Sequence, residues 1–194
     1  MSESERIARE FADAADALSV FNAEIAYATR VADLASDCAE SIRNGGKILA
    51  VGNGGSCADA MHFCEELTGR YRDDRPPIPA IACTDPCHIT CTANDYGYDH
   101  VFSRWVEGLG RPGDVLVALS TSGNSKNIAL AVEAARARSM RVALLLGKGG
   151  GALQGKGDVQ WTAPGETSDR IQEIHMLVLH SLVGAIERAM RYAG

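Results

Sequence analysis

The sequence predicts an α/β fold, a five-stranded parallel sheet doubly wound by helices, with long helices at its N- and C-terminal ends. Three observations carry that expectation. Short apolar runs alternate with helical patterns along the chain, and one run, Val115 to Leu119, is continuously apolar, as a parallel strand buried on both faces must be. Two of the runs end in turns rich in glycine or hydroxyl side chains. In a sheet built from right-handed crossovers the ligand lies at the carboxyl ends of the strands, which is where both turns fall.

From Ile7 the apolar positions Ile7, Phe11, Ala14, Leu18, Phe21 and Ile25 step by four and three, and Val31, Leu34, Cys38 and Ile42 continue the stripe to Gly45-Gly46. One long amphipathic helical region is expected over 1–46, with apolar surface that suits packing on its own sheet and on a second subunit. Lys47 to Val51 is the first strand. Gly52-Asn53-Gly54-Gly55 turns the chain, and Ser56 with Asp59 has the S-x-x-D form of a helix start. An anion fits the free amides of such a turn.

Ala80 to Cys83 reads as a second strand, with Asp85-Pro86 as the cap and first turn of a helix through about Ala93. Asn94-Asp95-Tyr96-Gly97-Tyr98 then reads as a polar turn in which Asp95 either binds hydroxyls or caps the helix Val101 to Leu109. After Val115 to Leu119, the third strand, comes Ser120-Thr121-Ser122-Gly123-Asn124-Ser125 ahead of a helix Lys126 to Arg138. Capping needs one hydroxyl, and here there are four. Hydroxyls and amides at a helix N-terminus both donate to phosphate oxygens, so this loop is the stronger phosphate candidate. Neither a G-x-x-x-x-G-K-[ST] nor a G-x-G-x-x-G pattern occurs, which argues against a nucleotide and for a sugar phosphate. Val142 to Leu146 is the fourth strand, Gly147 to Gly151 a glycine-rich turn, Val159 to Thr162 the fifth strand, and Ser168 to Met190 the last helix.

The net charge of −6 gives no general attraction for nucleic acid or an anionic membrane, so any anion must be held locally. No apolar run approaches the roughly 20 residues needed to span a bilayer, and a cytoplasmic protein is expected. The six cysteines contain no C-x2-C pair, so most are expected to be buried free thiols rather than a zinc or redox site.

Two ionisable residues stand out. His62 and Glu66 are four apart and share one face of the helix after the glycine turn, whereas Glu65 points about 100° away. An exposed ion pair would look the same. The last helix begins with polar residues for a helix that later turns apolar, and Gln172 and His180, eight apart, lie within about 80° on its surface. His175 and His180 are also compatible with ordinary core histidines.

Gly52-Asn53-Gly54-Gly55-Ser56, Asp59-Ala60-Met61-His62-Phe63, Glu65-Glu66-Leu67-Thr68-Gly69-Arg70, Asn94-Asp95-Tyr96-Gly97, the 120–125 loop and Arg170-Ile171-Gln172-Glu173-Ile174-His175 together resemble the phosphoheptose isomerases, over nearly the whole chain. The resemblance implies a single sugar isomerase (SIS) domain over 1–194 and a homotetramer. It also implies conversion of sedoheptulose 7-phosphate to D-glycero-D-manno-heptose 7-phosphate, the first step of bacterial ADP- and GDP-heptose biosynthesis. By the matching motifs, one Zn2+ per subunit would be held by His62, Glu66, Gln172 and His180, with Glu66 and His180 catalytic. The sugar phosphate would be held by Asn53, Gly54, Gly55, Glu66, Asn94, Asp95, Ser120, Thr121, Ser122, Ser125 and Gln172. Cys57-Ala58 departs from the usual pattern beside the first turn, outside these positions. The alternative is a non-catalytic SIS-domain regulator that binds the replication initiator protein; such relatives lack the Glu/His pair that Glu66 and His180 supply here. Gln172 and His180 are separated by about 12 Å along a helix axis. One metal held by both implies a site at a subunit interface.

Overall fold

The computed structural model describes residues 1–24 and 26–191. Helices α1 (Glu3–Asn22) and α2 (Ala26–Arg43) precede strand β1 (Ile48–Val51), α3 (Gly55–Thr68), β2 (Ala80–Ala82), α4 (Pro86–Tyr96) and α5 (Val101–Leu109). Then follow β3 (Val115–Ser120), α6 (Lys126–Ala137), β4 (Arg141–Gly147), β5 (Val159–Ala163) and α7 (Ser168–Arg191), with short 3-10 turns at Tyr98–His100 and Lys148–Leu153. The five strands form one parallel sheet in the order β2-β1-β3-β4-β5. The expected doubly wound architecture is present. Because β1 leads outward to β2 on one side and β3 pairs on its other side, the winding reverses between β1 and β3. Their carboxyl ends therefore form the crevice in which such sheets bind ligands.

Alternate residues of each inner strand enter different cores. Ile48 and Ala50 of β1 pack with Phe63, Leu67, Leu34 and Leu179 beneath α2, α3 and α7. Leu49 and Val51 pack with Val106, Ile128 and Trp105 beneath α5 and α6. Every residue of β3 is buried, as its unbroken apolar run requires.

Three local expectations are corrected. The N-terminal stripe forms two helices, α1 ending on Ala23 as its C-cap, rather than one continuous region; Ile25 of that stripe lies outside the described residues. The start of α1 is a reciprocal cap: Ser2 Oγ accepts from the Glu5 amide while the Glu5 carboxylate accepts from the Ser2 amide at 2.6 Å. The 94–98 segment is not a turn: Asn94, Asp95 and Tyr96 complete α4, which stops at Gly97 with φ 89°. Ser56 is not a cap either. Gly54, with φ 55°, occupies that position, α3 begins at Gly55, and the Ser56 side chain turns inward, 3% exposed. Of the cysteines, all free, Cys38, Cys64 and Cys83 are buried, whereas Cys87 and Cys91 are exposed.

Candidate active site

The middle of α3 and the middle of α7 face each other across the first core, and His62, Glu66 and His180 meet there. His62 Nε2 and His180 Nε2 each lie 3.4 Å from the same oxygen, Glu66 Oε1. The two imidazoles stand edge to face with centroids 5.2 Å apart, and Tyr71 stacks on the outer side of His180. Glu66 is 7% exposed, and its second oxygen, Oε2, has no hydrogen-bond partner among the described residues. The helical ion pair seen in the sequence is therefore half of a three-residue cluster. Burial raises the Glu66 carboxyl above the usual carboxylate range, while His180 and His62 pull it back.

Such a set suits a cation. The ligand atoms of the three residues lie within 4.8 Å of one another, and a buried carboxylate oxygen without a partner is a group whose desolvation a metal would offset. Gln172 sits two turns before His180 and is engaged elsewhere: its Nε2 donates to Ser56 Oγ at 3.4 Å, and its carboxamide lies against Gly55, where an added Cβ would fall 2.6 Å from Nε2. It lines the same surface groove as His180, together with Asp59, Asp169, Glu173 and Met176. From the sequence Asp59 reads only as part of a helix start. Its buried Oδ2 has no partner among the described residues, and burial raises its pKa to about 6 against the opposing influence of His62.

The two strand-end turns differ in what they offer an anion. At the glycine turn, the Ser56 and Cys57 amides donate back to the Asn53 and Gly54 carbonyls, each at 3.0 Å. In the 120–125 loop the hydroxyls shape the backbone instead. Ser120 Oγ accepts from the Gly123 amide and pairs with Ser125 Oγ, both at 3.1 Å, and Ser122 Oγ accepts from the Asn124 amide. Ser125 is the N-cap of α6 yet places no side-chain bond on its amides; the Ile128 amide is taken by Asn127 Oδ1 at 2.9 Å, so the Lys126 and Asn127 amides are the ones that face a ligand at the start of that helix. Thr121 reaches Ser168, the first residue of α7, at 3.2 Å.

Asn94 and Asp95 are exposed on the last turn of α4. The Asn94 amide donates to Asp95 Oδ1 at 2.7 Å, and the Cys91 thiol to Asp95 Oδ2 at 3.6 Å. Neither touches the histidine cluster, but the chain just beyond them does reach the first turn, where Tyr98 Oη donates to Asn53 Oδ1 at 2.9 Å. His175 is the ordinary core histidine the sequence allowed. It is fully buried, bonds Leu146 O through Nε2 at 2.9 Å, and burial lowers its pKa to about 4.

A doubly wound sheet with a hydroxyl-rich loop after the central strand and a Glu/His cluster between α3 and α7 fits the class of sugar isomerase domains, and the sequence model of the SIS domain family matches residues 10–147. Phosphoheptose isomerases from Enterobacter sp. (strain 638) and Yersinia pestis (strain Pestoides F) are 50% and 51% identical over 185 residues, 95% of this chain and 96% of each relative. The solved phosphoheptose isomerases of Neisseria gonorrhoeae (41% identity, TM-score 0.87) and Francisella tularensis (35%, TM-score 0.91) superpose over 96% and 97% of the chain and all of their own. The chain belongs to the phosphoheptose isomerase family of SIS-domain enzymes.

Proposed function

We infer that this chain is an aldose–ketose isomerase that interconverts sedoheptulose 7-phosphate and D-glycero-D-manno-heptose 7-phosphate, opening bacterial ADP- and GDP-heptose biosynthesis. The observation that carries this reading is the meeting of two imidazoles on one oxygen of a buried carboxylate, in a chain half identical to named phosphoheptose isomerases. Moving a proton between C1 and C2 through an enediol needs a base next to those carbons and an acid next to their oxygens. Glu66, its basicity raised by burial, takes the proton. His180 protonates and deprotonates the sugar oxygens.

Ser120, Thr121, Ser122 and Ser125 with the first amides of α6 hold the phosphate; Asn53, Gly54, Gly55, Asn94, Asp95, Glu66 and Gln172 hold the sugar. Zinc suits the imidazole and carboxylate donors, with His62, Glu66 and His180 holding it and Gln172 as a fourth ligand. Releasing Gln172 costs little, since its bond to Ser56 is long. When bound, the ion supplies Lewis acidity toward the sugar oxygens. The enzyme works as a cytoplasmic homotetramer with sites at subunit interfaces. The exposed apolar residues Ile7, Phe11 and Leu18 of α1 support that assembly, and no helix among the described residues is long and apolar enough to cross a membrane. The Glu66–His180 pair weighs against a silent regulator of replication initiation.

The test is incubation with sedoheptulose 7-phosphate, followed by NMR. Wild type forms the aldose, and Glu66→Gln and His180→Ala each lose roughly 100- to 10,000-fold in kcat. Undiminished turnover in either variant would refute the assignment. Chelation followed by zinc restoration tests the metal: activity and thermal stability fall together and return together.

A further inference from the structure

Asn53 is the residue of the first turn assigned to the sugar, yet most of its hydrogen-bonding capacity is already committed within the protein. The commitment can be read without ambiguity from one backbone donor. The Ile128 amide can only donate, and it lies 2.9 Å from the carboxamide oxygen of Asn127. Asn127 Nδ2 therefore faces Asn53, donating to Asn53 Oδ1 at 2.8 Å, and Asn53 Nδ2 returns a bond to Asn127 Oδ1 at 3.0 Å. The two carboxamides form a closed reciprocal pair across 74 residues of sequence. The second lone pair of Asn53 Oδ1 takes the Tyr98 phenol at 2.9 Å. A carboxamide has two acceptor lone pairs and two N–H donors. Both lone pairs of Asn53 are occupied and one N–H is used, which leaves one N–H for a ligand.

Asn127 is built for this task rather than for solvent. It is 3% exposed on the first turn of α6, the helix whose N-terminus closes the serine loop. Its neighbour Lys126 pairs with Asp99 at 2.6 Å, beside Tyr98. The start of α6 thus grips the 98–99 segment and the glycine turn at once.

We propose that Asn127, assisted by Tyr98, is a positioning residue that locks the Asn53 carboxamide as a pure hydrogen-bond donor toward the sugar and couples the sugar-binding turn to the phosphate-binding helix. The proposal rests on the reading that Asn53 meets the sugar and the serine loop the phosphate. It makes Asn53 selective for a sugar oxygen that accepts, and it keeps that donor in place before substrate arrives, so no reorganisation is needed on binding.

The test combines a double-mutant cycle with a partial ligand. Asn53→Ala, Asn127→Ala, the double variant and Tyr98→Phe are assayed for kcat/KM with sedoheptulose 7-phosphate and for competitive inhibition by inorganic phosphate, with thermal unfolding as the check on folding. Asn53→Ala and Asn127→Ala each lower kcat/KM about 10- to 100-fold, the double variant is little worse than either, and Tyr98→Phe loses only about 2- to 10-fold. The phosphate inhibition constant stays within about twofold throughout. Losses that multiply in the double variant, or phosphate inhibition that weakens in step with kcat/KM, would overturn the proposal, because a merely structural role at α6 disturbs the phosphate loop as well. Wild-type kcat/KM in Asn53→Ala sinks the sugar-contact reading instead, and an impaired Asn53→Ala beside a normal Asn127→Ala sinks the positioning role alone. Independently of turnover, protein labelled with 15N-asparagine shows a dispersed Asn53 side-chain NH2 resonance that moves toward free-amide values in Asn127→Ala; an unmoved resonance contradicts the lock.

Discussion

Glu66 concentrates what the site asks of single residues. It is buried, it is shared by two imidazoles, and one of its oxygens is left for a cation or a substrate proton. Its neighbour Glu65, exposed and turned away, serves as the control: Glu65→Gln leaves turnover within about twofold while Glu66→Gln lowers it roughly 100- to 10,000-fold, measured in the same assay. His175 gives a stability prediction of definite sign. Its pKa is lowered to about 4 in the folded chain from an ordinary 6.5, so between those values the unfolded chain binds the extra proton. Stability then falls as pH drops from 6.5 toward 4 and is unaffected by this group above 6.5. Replacing it with glutamine removes that slope: the wild-type advantage over His175→Gln in denaturant melts shrinks by about 3 kcal/mol from pH 7 to pH 4. A constant difference would contradict it.

At the scale of elements, α3 and α7 must be held in fixed register for the cluster to form, and Arg75 does much of the holding. Its guanidinium donates to the Glu66 and Leu67 carbonyls at the end of α3, both at 2.6 Å, and to Glu187 of α7 at 2.9 Å. The Arg75 and Glu187 side chains are 8% and 5% exposed. Glu187→Ala leaves a buried guanidinium without its anion and costs about 3–5 kcal/mol in urea unfolding, well above an exposed pair such as Arg6–Glu3. Gly55→Ala acts differently: its methyl meets the movable end of Gln172, so kcat/KM falls about tenfold while the melting temperature changes little. The elements themselves were largely legible. β1, β3 and β4 announced themselves by unbroken apolar runs, because burial on two faces leaves little room for polar residues. β2 and β5, half-covered at the sheet edges, showed as short runs between turn signals, and α5 by its bounds. The end of α4 was misread because Asn94-Asp95 has turn chemistry, although Gly97, the stop that the helix uses, stood in plain view. Asn127, Tyr98 and Arg75 were not legible, since their partners lie 74, 45 and up to 112 residues away and no local pattern marks such pairings.

For the whole molecule, the sheet order puts the glycine turn and the serine loop side by side at the reversal between β1 and β3, and α7 returns across the sheet to bring His180 to the residues of α3. That return is long-range, which is why His62 and Glu66 looked like a surface pair until the fold closed on them. The remaining large-scale expectation is assembly. Phe11 is 75% exposed on α1, and Phe11→Glu is expected to lower both the mass measured by light scattering and the turnover per chain, leaving helicity unchanged. Loss of assembly with full activity retained would show each chain to hold a complete site. The most direct measurement is NMR-followed turnover of sedoheptulose 7-phosphate in deuterated water by wild type and by Glu66→Gln. The account predicts aldose carrying solvent deuterium at C2 from the wild type and none above background from the variant; equal turnover by both, or no turnover by wild type, would contradict it.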